Sequence, residues 1–222
     1  MRELITIEQK VLKKNGDIAA DNQRELNRRG MFGVGLLSAP GSGKTALLER
    51  TLAALAGRAR AGVIEGDVQT DRDARRIAAL DVPVVQIVTN GTCHLEARMV
   101  QEALSRLPDD IDLLFIENVG NLVCPASYAL GEHRRVVVTS TPEGEDKPLK
   151  YPAVFRGADA VVINEIDLLH HVPYDIDQAR AFALQVHPAV LVFETSALTG
   201  AGIAAWVDWL LAEKRRSADA RQ

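Results

Sequence analysis

Gly33-Val34-Gly35-Leu36-Leu37-Ser38-Ala39-Pro40-Gly41-Ser42-Gly43-Lys44-Thr45 is the stretch that decides the architecture. The apolar run Gly33–Leu37 has the length of a buried strand, the glycines turn the chain sharply, and Leu47, Leu48, Leu52 and Leu55 then recur at helical spacing over Lys44–Leu55. In that order, strand, loop and helix let Gly41, Ser42 and Gly43 turn backbone N–H groups inward onto phosphate oxygens. Lys44 neutralises the terminal phosphates, Thr45 offers its hydroxyl to Mg²⁺, and the helix dipole adds a favourable field. Ser38 stands where the usual pattern has glycine, and a small residue still closes the loop.

Working outward, short apolar runs predict further strands at Ala61–Ile64, Val82–Ile87, Asp112–Ile116, Arg135–Thr139, Ala160–Ile163 and Ala189–Phe193. Helices are expected near Asp71–Leu80, Leu95–Leu107, Leu149–Phe155, Ile176–Val186 and Ile203–Lys214. Leu113-Leu114-Phe115-Ile116 and Val161-Val162-Ile163 are apolar at every position, which implies burial on both faces. The expected fold is therefore α/β, a doubly wound, mainly parallel sheet of the P-loop NTPase type, with sites at the carboxyl ends of strands. Residues 1–30 read as a polar helical arm, interrupted at Asn15-Gly16 and packed on the outside. Residues 31–216 form the nucleotide domain, the chain frays from Glu213, and residues 217–222 are a polar tail.

A chain of 222 residues suits one domain with a substantial core. Its 47% hydrophobic and 25% charged residues are those of a soluble protein, and no apolar run approaches the roughly 20 residues of a membrane helix. The charged N-terminus has no secretory pattern, which places the protein in the cytoplasm. Net charge is −4, with 26 basic and 30 acidic residues well mixed, so no basic surface for nucleic acid is indicated. In a reducing compartment Cys93 and Cys124 are thiols or metal ligands rather than a disulfide.

Four segments at strand ends carry the candidate chemistry. Glu65-Gly66-Asp67, with Asp71 and Asp73, places carboxylates where they reach Mg²⁺ or orient a water; Asp67 is the first choice, the alternative being a helix cap near Asp71. Glu117-Asn118-Val119-Gly120 ends in a glycine whose N–H can sense a γ-phosphate. Asn164-Glu165-Ile166-Asp167 sets Asp167 to accept two hydrogen bonds from a guanine edge, and Ser196-Ala197 brings a backbone N–H to the base oxygen. Cys93-His94 begins a helix and Cys124 follows the switch glycine. Thiolates and imidazole suit Ni²⁺ or Zn²⁺, and three ligands leave a site open or completed across a two-fold axis. The other reading of this trio is two core cysteines and a capping histidine. His133, His170, His171 and His187 are expected to be solvated.

Glu65-Gly66-Asp67-Val68-Gln69-Thr70-Asp71, Gly91-Thr92-Cys93-His94-Leu95, Glu117 through Pro125 and Glu143 through Pro152 together resemble HypB, a SIMIBI-class P-loop GTPase family that inserts nickel during maturation of nickel–iron hydrogenase. The likeness runs from about Gln9 to Trp209. It implies slow GTP hydrolysis with Lys44, Asp67 and Gly120 at the chemistry, and a Ni²⁺ or Zn²⁺ site of Cys93, His94 and Cys124 at a subunit interface. It further implies GTP/GDP and Mg²⁺ as ligands, a GTP-dependent homodimer, and a nickel metallochaperone and the hydrogenase large subunit as partners. Three departures stand out. The chain has no N-terminal cysteine motif or histidine-rich stretch and so should not store nickel; Arg98 stands where some relatives place another histidine; and Glu165 replaces the lysine of the base-recognition motif. Two competing readings are a nucleotide-regulated metal scaffold with little hydrolysis and a small-molecule kinase.

Overall fold

Seven strands lie side by side in the order β3-β2-β4-β1-β5-β6-β7, and every neighbouring pair is parallel. They are β1 (Phe32–Ser38), β2 (Ala61–Asp67), β3 (Val84–Val88), β4 (Leu113–Glu117), β5 (Arg134–Ser140), β6 (Ala160–Asn164) and β7 (Leu191–Glu194). The helices are α1 (Ile7–Arg28), α2 (Lys44–Leu55), α3 (Arg72–Ala78), α4 (Ala97–Leu104), α5 (Lys147–Lys150), α6 (Pro152–Arg156), α7 (Ile176–Val186) and α8 (Ile203–Asp219). This computed structural model describes residues 7–69 and 72–221; Asp71 and the first six residues of the expected arm lie outside them.

Both faces of the sheet are covered, as the uninterrupted apolar strands require. On one face Phe32, Val34, Leu36, Leu113 and Phe115 pack against Leu47, Leu48 and Leu52 of α2 and Trp206, Val207 and Leu210 of α8. On the other, Ile64, Leu114 and Ile116 meet α1 and α4, while Leu37, Val137 and Val161 meet α6 and α7. Each fully buried Leu or Phe contributes about 1.5–3 kcal/mol. These layers hold the carboxyl ends of β1, β2 and β4 side by side, where ligands bind in open α/β sheets.

Four expectations need correction. First, α1 is not interrupted at Asn15-Gly16, nor is it merely external, because Asn15, Ala19, Asn22 and Leu26 form a buried stripe. Asn15 donates to Ala129 O (2.8 Å) and accepts from Ala97 N (2.8 Å), and Asn22 donates to Ala97 O (2.8 Å) and Leu130 O (2.9 Å). These tertiary bonds offset the roughly 1 kcal/mol that a helix-interior glycine costs. Second, the chain does not fray from Glu213: α8 continues to Asp219, since Glu213 is buried against Arg134 (2.7 Å) and Lys214 pairs with Asp112 (2.8 Å). Third, the helix expected over Leu149–Phe155 is two short pieces, α5 and α6, parted at Tyr151 just before Pro152, whose ring disfavours helical geometry in the preceding residue. Fourth, Cys93 and His94 do not begin a helix; they lie in the loop before α4, which starts at Ala97.

Candidate functional site

The loop after β1 delivers its glycines in left-handed conformations, φ +80° at Gly41 and +72° at Gly43, which a Cβ would strain. No side chain caps the first turn of α2, so its amides remain donors. Gly120 comes so close that a Cβ there would lie 3.1 Å from Pro40 Cα. The segment after β4 thus rests on the phosphate loop.

Charged side chains converge on this loop from the ends of β2 and β4 and from α3. Lys44 Nζ donates to Glu117 Oε1 (2.6 Å) and to Asn118 O (2.8 Å). Thr45 Oγ1 donates to the same Glu117 oxygen (2.7 Å) and to Asp73 Oδ2 (3.2 Å). Oxygens of Glu65, Asp67 and Asp73 all lie within 4.8 Å of one another. Burial, reinforced by the charge of Glu117, pushes the Glu65 carboxyl up to about 8. Glu65 Oε2 and Glu117 Oε2 are buried without hydrogen-bond partners. Four carboxyl groups, two of them with an orphaned oxygen, and a hydroxyl are a donor set that fits a hard divalent cation. The cleft they line, about 500 Å³, also takes in Gly41, Ser42 and Gly43.

A second cleft of about 600 Å³ opens beside the first and is lined by Asn164, Asp167 and Ala197 under Leu198, which is 82% exposed. Asn164 is fully buried at the end of β6; it donates to Ser42 O and Gly43 O (3.4 Å each) and accepts from Ala197 N (3.2 Å). Ser196 is likewise buried, and its hydroxyl donates to Asp167, orienting that carboxylate rather than lining the cleft. Of the backbone N–H groups in the segment expected to meet a base oxygen, that of Ala197 is engaged by Asn164. Glu165 borders both clefts in a left-handed conformation (φ 62°). Burial raises its carboxyl above the usual range, a hydrogen bond with Ser140 acts the other way, and the charges of Asp167 and Glu143 add to the rise.

The third cluster is Cys93, His94 and Cys124, whose ligand atoms lie within 4.8 Å of one another. Cys93 Sγ is 3.9 Å from His94 Nδ1, and the imidazole rests on Tyr128 with centroids 4.0 Å apart. His94 Nε2 is buried and unpartnered, and burial lowers the imidazole's proton affinity. Hydrogen bonding to Cys124, followed by burial, raises the Cys93 thiol. Cys93 is exposed and Cys124 half-buried, which disfavours the reading of two core cysteines. Arg98 pairs with Glu102 on α4 (3.2 Å).

The nucleotide-binding domain model of the CobW/HypB/UreG proteins matches residues 33–194. The chain belongs to this family. Within it, the chain is 50% identical over 209 residues to the hydrogenase maturation factor HypB of Azotobacter vinelandii, across 93% of this chain and 69% of that one. The same factor from Escherichia coli K12 is 46% identical over 210 residues, 94% and 72% of the two chains. Among solved structures, HypB from Helicobacter pylori in complex with nickel superposes with a TM-score of 0.88 at 38% identity, covering 91% of this chain and 96% of that one.

Sequence reasoning overlooked Glu117 as a site residue, although it joins Lys44 to Thr45. Its signal was an acid closing the apolar run Leu113–Ile116 in a strand buried on both faces. Two histidines also depart from expectation. His133 is held between Gly33 N (2.9 Å) and Asn27 Oδ1 (3.0 Å) with burial lowering it to about 4, and His187 Nδ1 bonds Ala158 O (2.9 Å); His170 and His171 are exposed as expected.

Proposed function

We propose that the chain binds GTP and GDP with Mg²⁺, hydrolyses GTP slowly, and uses its nucleotide state to govern a Ni²⁺ or Zn²⁺ site that serves maturation of a nickel–iron hydrogenase. One observation carries this reading: Glu117, which contacts the phosphate-loop lysine, and Cys124, which belongs to the soft-ligand cluster, are the two ends of one short segment. Family membership and the match to a nickel-bound relative support the same reading.

In this scheme Lys44 and the amides of Gly41, Ser42 and Gly43 hold the phosphates. Thr45 and Asp67, with Asp73 alongside, hold Mg²⁺, which supplies charge neutralisation at the phosphates. Asp67 also orients the attacking water, and the Gly120 N–H reads the γ-phosphate. Asp167, set by Ser196, selects guanine, while Asn164 ties the base cleft to the phosphate loop and Ala197. Cys93, His94 and Cys124 take the cargo metal. Three protein donors leave a coordination position open, and exposed Val123 (62%) beside Cys124 gives an apolar contact for a second copy. A GTP-dependent homodimer completes the site in this reading, with a nickel metallochaperone and the hydrogenase large subunit as cytoplasmic partners. No helix among the described residues is long and apolar enough to cross a membrane.

Phosphate release from GTP with Mg²⁺ tests the enzymatic half. The expected result is slow turnover in the wild type and release slower by ~10²–10³-fold in Lys44→Ala. Metal binding without release from either protein would instead establish a nucleotide-regulated scaffold. Light scattering with GTP and with GDP tests the dimer: an unchanged monomer in both states removes it from the scheme.

A further inference from the structure

The coupling proposed above needs a physical route from phosphates to metal ligands, and the segment after β4 contains one. Asn118 is 2% exposed. Its main-chain carbonyl accepts from Lys44 Nζ (2.8 Å). Its side-chain oxygen accepts from Leu95 N (3.0 Å), the residue after His94, and from Val119 N (2.9 Å), the residue before Gly120. Asn121 repeats the arrangement nearer the surface, donating to Cys93 O (3.2 Å) and accepting from Val123 N (2.9 Å), next to Cys124. All three soft ligands therefore hang on residues 118–124, two through side-chain amides and one through chain continuity.

We infer that Asn118 is the positioning residue through which phosphate occupancy sets the geometry of Cys93 and His94. An ammonium has three donors, and here Lys44 spends two on Glu117 and the Asn118 carbonyl. Phosphate oxygens are stronger, charge-assisted acceptors, so a nucleotide draws those donors away. The peptide that loses its cation is the one whose side chain grips Leu95, so the loop before α4 shifts with it. Movement of Cys124 alone would leave the other two ligands where they are; the Asn118 bridge moves all three together. This inference rests on the nucleotide–metal coupling of the preceding reading, and it adds a named link.

The test is Ni²⁺ titration of the full chain, nucleotide-free and saturated with a non-hydrolysable GTP analogue, the readout being the ratio of the two affinities. Coupling of ordinary size gives the wild type a ratio of at least about fivefold. Asn118→Ala should bring that ratio to within about twofold of one, and Asn118→Asp, which keeps an acceptor for Leu95 and Val119, should retain it. Asn121→Ala, at a half-buried position, should fall between. A residue that only supports the fold would weaken Ni²⁺ binding equally with and without the nucleotide and leave the ratio untouched. A wild-type ratio near one removes the coupling itself, and this inference with it. A normal wild-type ratio that persists in Asn118→Ala overturns the Asn118 link alone. If the alanine variant does not fold, Asn118→Ser, too short to span Leu95 and Val119, is read against the same criteria.

Discussion

The Lys44 end and the Cys93 end of this molecule hang on one segment, yet they are assembled by different means. At the first, Lys44 is 10% and Glu117 1% exposed, and both are bonded further, Lys44 to the Asn118 carbonyl and Glu117 to Thr45, so the groups hold one another before any ligand arrives. At the second, Cys93 is exposed, His94 keeps an unpartnered nitrogen, and outside contacts hold the main chain at Cys93 and Leu95 while the thiols and the imidazole chiefly face one another. A phosphate site must discriminate a charged ligand in competition with water, which favours preorganisation. Ligands that take a cargo metal, as proposed for Cys93, His94 and Cys124, must also release it, which favours positions set from elsewhere.

The largest effect should come from breaking the locked end. Lys44→Ala strips the cation from a buried carboxylate, and removing one partner of a buried pair costs about 3–5 kcal/mol. Urea unfolding of the nucleotide-free variant should show that loss, and adding Glu117→Gln should recover part of it. Loss of a preorganised charge contact should also slow phosphate release by ~10²–10³-fold. A variant as stable as wild type would mean that this end is not assembled in advance.

The open end should respond in the opposite way. Cys124→Ala, at a half-buried position, should leave the unfolding free energy from urea titration within about 1 kcal/mol of wild type, while weakening Ni²⁺ or Zn²⁺ by at least the ~10–100-fold seen for supporting groups. If instead the variant is markedly destabilised and still binds metal normally, Cys124 is a packing residue and the contrast between the two ends disappears.

The same contrast explains what could be read from the chain. The strands and α2 were legible because their signals are local: apolar runs at Leu113–Ile116 and Val161–Ile163, and leucines at helical spacing after the glycines. Most of the phosphate end was legible for the same reason. Glu117 was not, because its role depends on Lys44, distant in sequence and adjacent only across the sheet. The continuity of α1 through Gly16 and of α8 past Glu213 was hidden likewise, in the Asn15, Asn22 and Arg134 contacts. The loop placement of Cys93 and His94 was missed because apolar Leu95 and Val100 extend the helical pattern backward beyond its true start at Ala97.

Between the extremes stands α1, which braces the open end from behind. Asn22→Ala leaves the carbonyls of Ala97 and Leu130 without their donor, at about 1–3 kcal/mol for buried groups. The urea midpoint should fall accordingly while GTP affinity holds. A change under about 0.5 kcal/mol, the size of an ordinary surface substitution, would show that water replaces the amide at no cost and that α1 is not a brace.

The smallest expected effect concerns Glu165, which borders both clefts. Where the family pattern has a lysine whose stem covers the base, this chain carries a carboxyl whose Oε1 comes within 3.0 Å of the place a Gly43 Cβ would occupy. A negative group beside the phosphate loop opposes an anionic nucleotide, and a cation over an aromatic face is worth about 0.5–2 kcal/mol. Glu165→Lys should therefore tighten GTP and GDP together, by several-fold to roughly thirty-fold, without changing the preference over ATP proposed above for Asp167. The pH dependence has a definite sign. Because burial raises the Glu165 carboxyl above its ordinary value, lowering the pH toward that raised value neutralises it, so wild-type affinity should climb on acidification and the lysine variant should not follow. Isothermal titration of both proteins across that range separates the causes. Tighter binding by the lysine variant with a flat pH profile assigns the effect to charge. Equal or weaker binding would mean that the hydrogen bond with Ser140 already holds the Glu165 carboxyl away from the nucleotide, and that the base cleft, like the phosphate loop, is locked before its ligand arrives.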